Sequence, residues 1–245
     1  MKGVVLSGGY ATRLRPMSFY LNKHMWPVYD RPLIEHVIEK LIWADITDIA
    51  IVLGGSHPKQ VKNYLGDGAR YGCSFTYVWQ GAPRGIANAV SCCKNFCGDD
   101  KFIVHLADNI FEDDLGAIIA EFNQGSYDCL VVLKKVTNPK RFGVAEVKDG
   151  RIVSLEEKPL EPKSNLALTG VYGFNSDFLK FFKSLKASWR GEYELTDIIG
   201  AYVKENKNVL VKVLDGRWFS CDTFENLLEA SNFIFKQTQK RLRRN

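Results

Sequence analysis

Along the first half of the chain, short unbroken apolar runs alternate with stretches whose apolar residues recur every three or four positions. The runs fall at 3–6, 49–53, 75–79, 102–106 and 129–133. Each has the length of a strand, and a strand apolar at every position predicts burial on both faces. Between them, helical patterns cover 33–43, 58–65, 86–95 and 115–122. In the first of these, Leu33, His36, Val37, Leu41 and Ile42 share one side, as on a helix lying against a sheet. Strict alternation of this kind predicts an α/β architecture, a mostly parallel sheet between layers of helices. Ligands of such sheets bind outside the carboxyl ends of the strands. The Ser7–Gly8–Gly9 loop and the Asp108–Asn109 pair both follow strands, so both belong on that rim.

After position 140 the pattern changes. Runs at 144–147 and 152–155 flank Lys148–Asp149–Gly150 and predict a hairpin. A strand is expected at 168–174, helices at 178–185 and 196–205, a strand at 209–214 and a helix at 224–235. No internal repeat, low-complexity stretch or linker separates the halves. The whole chain, 1–245, is expected to be one domain, with 141–245 completing the sheet begun by 1–140 and walling one side of its rim.

Composition narrows the class. No apolar run approaches the ~20 residues that span a bilayer, and the first residues lack a secretory pattern, so a cytoplasmic protein without a membrane partner is expected. The net charge of +5 is carried by Lys236, Lys240, Arg241, Arg243 and Arg244, which leaves the rest formally neutral. A basic end on a neutral body reads as a fraying helix terminus rather than a nucleic-acid surface. Six cysteines show neither CxxC pairs nor partner histidines. Cys92, Cys93 and Cys97 share one predicted helix and Cys129 lies in a core strand, so reduced thiols are expected.

The chemistry concentrates near the start. A buried strand, the Ser7–Gly9 turn, and then Arg13, Arg15 and Lys23 are what a polyphosphate requires. Glycine lets backbone N–H groups approach phosphate oxygens, and the cations neutralise charge as an internal phosphate bond breaks. A plain structural turn would read the same way. Asp108 and Asp222 each follow an apolar stretch. Two carboxylates on one rim suit Mg²⁺, which takes few carboxylates with water and substrate phosphate. The ordinary alternative is helix capping, since Asp222 and Thr223 precede a predicted helix.

Six segments in order, GGYATRLRP, NKHMWPVYDRPLI, GIANA, ADNIF, EEKPLEPKSN and RGEYELTDI, closely resemble the sugar nucleotidylyltransferases. The nearest branch is the glucose-1-phosphate thymidylyltransferases, including their short form. The resemblance implies a three-layer, Rossmann-like nucleotidyltransferase fold with a mixed, mostly parallel central sheet. It also implies a reaction: a sugar 1-phosphate attacks the α-phosphorus of a nucleoside triphosphate and releases pyrophosphate. On this resemblance Leu6, Gly8 and Gly9 lie against the nucleotide. Arg13 and Lys23 grip its phosphates, and Gln80 and Gly85 read the base edge. Asp108 and Asp222 hold Mg²⁺. Gly143, Glu157 and Lys158 contact the sugar phosphate, with Arg190 as a further phosphate cation. A glutamine amide, with one donor and one acceptor face, suits thymine or uracil and hence dTTP or UTP.

Several positions depart from the family pattern. Ala11 replaces a glycine and is tolerable there if φ stays negative. Phe142 replaces a tyrosine. Ser220 stands where the family has a tryptophan against the sugar, and Phe224 replaces a small residue. A sugar other than glucose is therefore expected. The alternatives are a cytidylyl- or guanylyltransferase of the same fold, or an inactive module that binds nucleotide or sugar. The helices that build a regulatory site in longer members are not expected here, and a homodimer is the working expectation.

Overall fold

The structure is a computed structural model and describes residues 1–243. Its elements run β1 (Lys2–Ser7), β2 (Pro27–Val28), β3 (Arg31–Pro32), α1 (Leu33–Trp43), β4 (Asp48–Leu53), α2 (Pro58–Leu65), β5 (Ser74–Trp79), α3 (Ile86–Ser91) and α4 (Lys94–Cys97). There follow β6 (Phe102–Leu106), β7 (Asn109–Phe111), α5 (Gly116–Gln124), β8 (Cys129–Lys135), β9 (Gly143–Lys148), β10 (Arg151–Glu157) and β11 (Leu166–Phe174). The chain closes with α6 (Asp177–Ser184), α7 (Leu195–Lys204), β12 (Val209–Leu214), β13 (Trp218–Ser220) and α8 (Phe224–Leu242).

Strands β6, β1, β4 and β5 lie side by side and parallel, with Val5 opposite Ile51 and His105. All four therefore end on one rim. The expected burial on both faces holds. Val4, Leu6, Ala50, Val52, Phe102 and Val104 enter one apolar cluster with α3, α6 and α7. The alternate residues Val5, Ile49, Ile51, Leu53 and Ile103 enter a second with α1, α2 and α5. That alternation is the pleat, and it is why these strands read as unbroken apolar runs.

The second half joins through β11, antiparallel to all three strands it pairs with. One edge of β11 pairs along its length with β8, which pairs in turn with parallel β12. On the other edge its start, Leu166–Ala167, pairs with β9, whereas Val171–Phe174 pairs with β6. A register shift between Leu168 and Tyr172 marks the changeover. The sheet forks there, and the fork between β9 and β6 opens a crevice.

Several expectations need correction. The helix expected over 86–95 breaks after Ser91 and resumes at Lys94, so the three cysteines do not share one helix. The Ser91 hydroxyl donates to the Asn88 carbonyl at 2.7 Å and competes with the helical ladder. All six cysteines are free thiols. The last helix passes the expected end and continues through Lys236, Lys240 and Arg241 to Leu242; Arg244 lies outside the described residues. Strands β2, β3, β7 and β13 went unforeseen because two or three residues carry no period. With Leu14, Trp26 and α8 they form a third apolar cluster, around Phe219, Cys221 and Phe233.

Ala11 does not keep a negative φ. It sits at φ 46°, ψ 47°, in the left-handed region, just before the 12–14 turn. An alanine there costs about 1 kcal/mol relative to glycine, part of which returns through the more restricted unfolded chain. Ala11→Gly should therefore raise the free energy of unfolding by roughly 0.5–1 kcal/mol in urea titrations. A loss of stability would show that packing of the methyl outweighs the backbone strain.

Candidate active site

Two clefts open on the rim and share a wall. The first, about 410 Å³, is lined by Leu6, Gly8, Gly9, Lys23, Gln80 and Gly85 among others. The second, about 300 Å³, occupies the fork and is lined by Arg13, Gly143, Glu157, Lys158, Trp218 and Asp222 among others. Lys23 and Asp108 line both.

The first cleft is shaped by missing side chains. A Cβ on Gly8 would stand 1.9 Å from Gln80 Nε2, and one on Gly54 2.3 Å from it, so the amide lies across two bare backbones at the ends of β1 and β4. Gly85 has φ +99°, and a Cβ there would meet the Tyr193 carbonyl at 2.5 Å. The Tyr193 N–H donates to the Arg84 carbonyl at 2.8 Å, and its own carbonyl accepts from the Ala87 N–H at 3.1 Å. Gly85 thus lets the 84–87 segment seat against the loop that carries Arg190.

Beneath the shared wall, buried His24 faces the Ser7 hydroxyl at 2.9 Å and the Asn22 side-chain oxygen at 3.0 Å. Burial, followed by the charge of Lys23, holds its imidazole down at about pKa 3. It stays neutral and serves as a fixed polar strut. Asp108 is ion-paired with Lys23 and accepts from Asn109 Nδ2 at 2.6 Å. Burial alone would push its carboxyl up, but the charge of Lys23 and the hydrogen bonds from Lys23 and Asn109 win, and it sits at about 2. Asp108 is therefore an anion at any working pH.

Asp222 arrives from the far end of the chain. Antiparallel β7 and β13 place Ser220 opposite Asn109, and the Cys221 N–H donates to the Asp108 carbonyl at 2.7 Å. The helix cap is Thr223, whose hydroxyl accepts from the Asn226 N–H at 3.3 Å, so Asp222 is released from that duty. Its carboxylate instead pairs with Arg13 and with Arg141, the latter 3.2 and 3.1 Å from its two oxygens. Arg141 carries no signal in the sequence, because one arginine in a 3₁₀ turn gives no periodicity and its partner lies 81 residues away.

On the opposite wall a Cβ on Gly143 would crowd Thr196 at 2.7 Å and Glu157 Oε2 at 3.0 Å. Burial and then the neighbouring Glu194 push the Glu157 carboxyl up, against the pull of Lys158 and Arg190. Lys158 Nζ lies 3.8 Å from Glu157. Arg190, expected as a further phosphate cation, is enclosed by carboxylates. Its guanidinium is 3.6 Å from Glu157, 2.9 Å from Glu192 and 3.1 Å from Glu194, and it lines neither cleft. Thr196 is buried, and its hydroxyl has no partner among the described residues, in a cleft where a ligand could supply the hydrogen bond.

Asp108 and Asp222, whose segments are joined by the Cys221–Asp108 backbone hydrogen bond, both line the fork, and two carboxylates there fit the donor set of a Mg²⁺ that completes its shell with water and phosphate.

The neutral imidazoles set the acid response. His105 is also buried and held at about pKa 4. As the pH falls below 6.5 the unfolded chain binds protons that folded His24 and His105 refuse, so stability declines with falling pH. Each contributes up to about 1.4 kcal/mol per pH unit. Asp108, with its lowered pKa, adds its loss only between about 4 and about 2. Urea titrations from pH 6.5 to 4.5 should show this slope, and His24→Gln should flatten it by about 1 kcal/mol per unit. An unchanged slope would mean that His24 is already charged in the folded state.

The sequence model of the nucleotidyl transferase family matches residues 2–237. The low-salt glycan biosynthesis nucleotidyltransferase Agl11 of Haloferax volcanii is 39% identical over 237 residues, 96% of this chain and 66% of its own length. A glucose-1-phosphate thymidylyltransferase of Neisseria meningitidis is 37% identical over 239 residues, 96% of this chain and 82% of its own. A Bacillus anthracis crystal structure, described as a glucose-1-phosphate thymidylyltransferase in complex with a sucrose, superimposes with a TM-score of 0.90 at 41% identity, over 95% of this chain and 94% of that one. A UDP-glucose pyrophosphorylase complexed with UDP-glucose follows at TM-score 0.86 and 25% identity, over 96% and 98%. Among the described residues no helix is long and apolar enough to cross a membrane. With its Rossmann-like sheet and its match over residues 2–237, the chain belongs to the nucleotidyl transferase family, within the sugar nucleotidylyltransferases.

Proposed function

We propose that this protein joins a sugar 1-phosphate to dTTP or UTP, releasing pyrophosphate and a nucleotide-linked sugar for glycan or polysaccharide synthesis in the cytoplasm. The observation that carries this reading is the wall shared by the two clefts. Lys23 and Asp108 face both, so a triphosphate in the first and a sugar phosphate in the second would meet there.

A phosphate monoester is already an anionic nucleophile at neutral pH, so no general base is needed. One of its oxygens bonds to the α-phosphorus as the bond to the pyrophosphate leaving group breaks. The protein's task is alignment and neutralisation. Arg13 and Lys23 would leave their carboxylates for the phosphates of the nucleotide, a guanidinium fork matching a multi-oxygen anion. Lys158 would hold the incoming phosphate against repulsion, and Glu157 would accept from sugar hydroxyls. Arg190, enclosed by three glutamates, would orient Glu157 and Glu194 rather than bind phosphate directly. Mg²⁺ between Asp108 and Asp222 would supply Lewis-acid withdrawal of charge from phosphate oxygens. Gln80, laid across Gly8 and Gly54, would pair with the donor and acceptor of a thymine or uracil edge.

The sugar pocket is distinctive. Trp218 precedes Ser220 by two residues on β13, which puts both on one face about 7 Å apart. The Trp218 ring packs 5.0 Å from that of Phe142, and its indole N–H donates to Asn109 Oδ1 at 2.6 Å. An aromatic wall is thus present but stepped back, with a small hydroxyl beside Asp222. That space favours a sugar other than plain glucose, bulkier on the side facing β13.

Pyrophosphate release measured over dTTP, UTP, CTP and GTP with a panel of sugar 1-phosphates tests this directly. Activity is expected with dTTP or UTP, and best with a substituted sugar. A clear preference for CTP or GTP, or for glucose 1-phosphate, would overturn that part. Asp108→Asn and Asp222→Asn should each lower kcat by at least about 10²-fold while keeping the folded circular-dichroism spectrum, Asp108→Asn with a lower melting temperature because Lys23 loses its partner. Full activity in either would remove that carboxylate from the site.

A further inference from the structure

Helix α8 carries two apolar stripes, where a helix lying on one core needs only one. The first, Leu227, Ala230 and Phe233, is buried against the body. The second is Phe224, Leu228, Phe235 and Leu242, all exposed, with Leu228 at 64% and Leu242 at 66%. Ser231 and Thr238 complete it, so its positions are spaced four, three, four, three and four residues apart. That is the repeat of a helix that packs on another helix, and at ~100° per residue its four apolar members fall within about 40° of one another. The stripe is also held in place. The Phe224 ring packs 5.5 Å from that of Trp26, and the Phe235 ring 5.3 Å from that of Tyr29, whose backbone N–H donates to the Ser231 hydroxyl oxygen at 2.8 Å.

Charge selects the partner. Between Phe224 and Leu242 the helix has five charged side chains. Glu225, Glu229, Lys236 and Lys240 are exposed on the flank beside the second stripe, acidic in the first half and basic in the second. The fifth, Arg241, is turned the other way and lines the groove against α1. A second copy of the same helix laid antiparallel answers both patterns at once. A two-fold axis level with Phe233 sets Phe224 against Leu242, Leu228 against Thr238 and Ser231 against Phe235. The same axis brings charged flank to charged flank, with Glu225 and Glu229 of each copy facing Lys240 and Lys236 of the other. Parallel pairing would set glutamate on glutamate and lysine on lysine.

We infer that the exposed stripe of α8 is the interface of a symmetric homodimer of this protein, its two α8 helices antiparallel. The helix is about 28 Å long and its patch is at the small end of specific interfaces, so association is reversible and depends on concentration. The pairing covers Phe224 and the Trp26 ring beneath it, two and three residues beyond Asp222 and Lys23 in the chain.

Sedimentation velocity tests this. Wild type should pass from monomer to dimer over roughly 1–200 µM. Leu228→Lys puts a like charge opposite the basic half of the other copy and should stay monomeric throughout, with an unchanged circular-dichroism spectrum. Glu229→Lys should weaken association roughly tenfold, and adding Lys236→Glu should restore it, because the double change exchanges the charges without removing the pairs. A wild type that is monomeric at the highest concentration, or a dimer indifferent to Leu228→Lys, overturns the inference. A dimer that Leu228→Lys breaks but Glu229→Lys leaves unchanged overturns the antiparallel arrangement.

Discussion

The site depends on one small pairing, the antiparallel contact of Asn109–Phe111 with Trp218–Ser220, closed by the Cys221 N–H on the Asp108 carbonyl. Three residues a side make a weak ladder by themselves. It holds because Ile110, Phe219 and Cys221 are buried against α8 together with Leu14, Trp26 and Val28. That third apolar cluster holds the pairing that brings Asp222 to the same cleft as Asp108. Both aspartates lie just past the ends of these strands, so any slip in register would move them apart by a residue's rise or turn one of them to the other face.

Around that pairing the protein stores charge in opposed pairs instead of burying it bare. Lys23 and Asp108, Arg13 and Arg141 with Asp222, and Arg190 with three glutamates are each mutually satisfied. A partly buried ion left alone would cost several kcal/mol, so a site that must greet highly charged substrates keeps internal partners for its charges until the substrates replace them. His24 sits beneath as a neutral element, which spares the Lys23–Asp108 pair a further positive charge at working pH.

Two departures from the family pattern are resolved only by geometry. Ala11 adopts the backbone conformation that favours glycine, so its methyl is carried at a local cost. Trp218, two residues before Ser220 on the same strand face, packs on Phe142 and puts an aromatic beside the fork.

The order of elements was written in the sequence. Runs such as 49–53 and 102–106 are apolar throughout because helices cover both faces of the sheet, and that periodicity needs no knowledge of partners. The Ser7–Gly9 turn, Asp108 and the 148–150 hairpin turn were legible for the same reason, as local chemistry with a local cause. What needed the tertiary structure was everything set by contact between distant segments. The fork of the sheet at β11, the pairing of β7 with β13, the grip of Arg141 on Asp222 and the enclosure of Arg190 leave no periodic trace. Each depends on which surfaces meet once the core has closed, and a single residue or a three-residue strand carries too little pattern to announce its partner in advance.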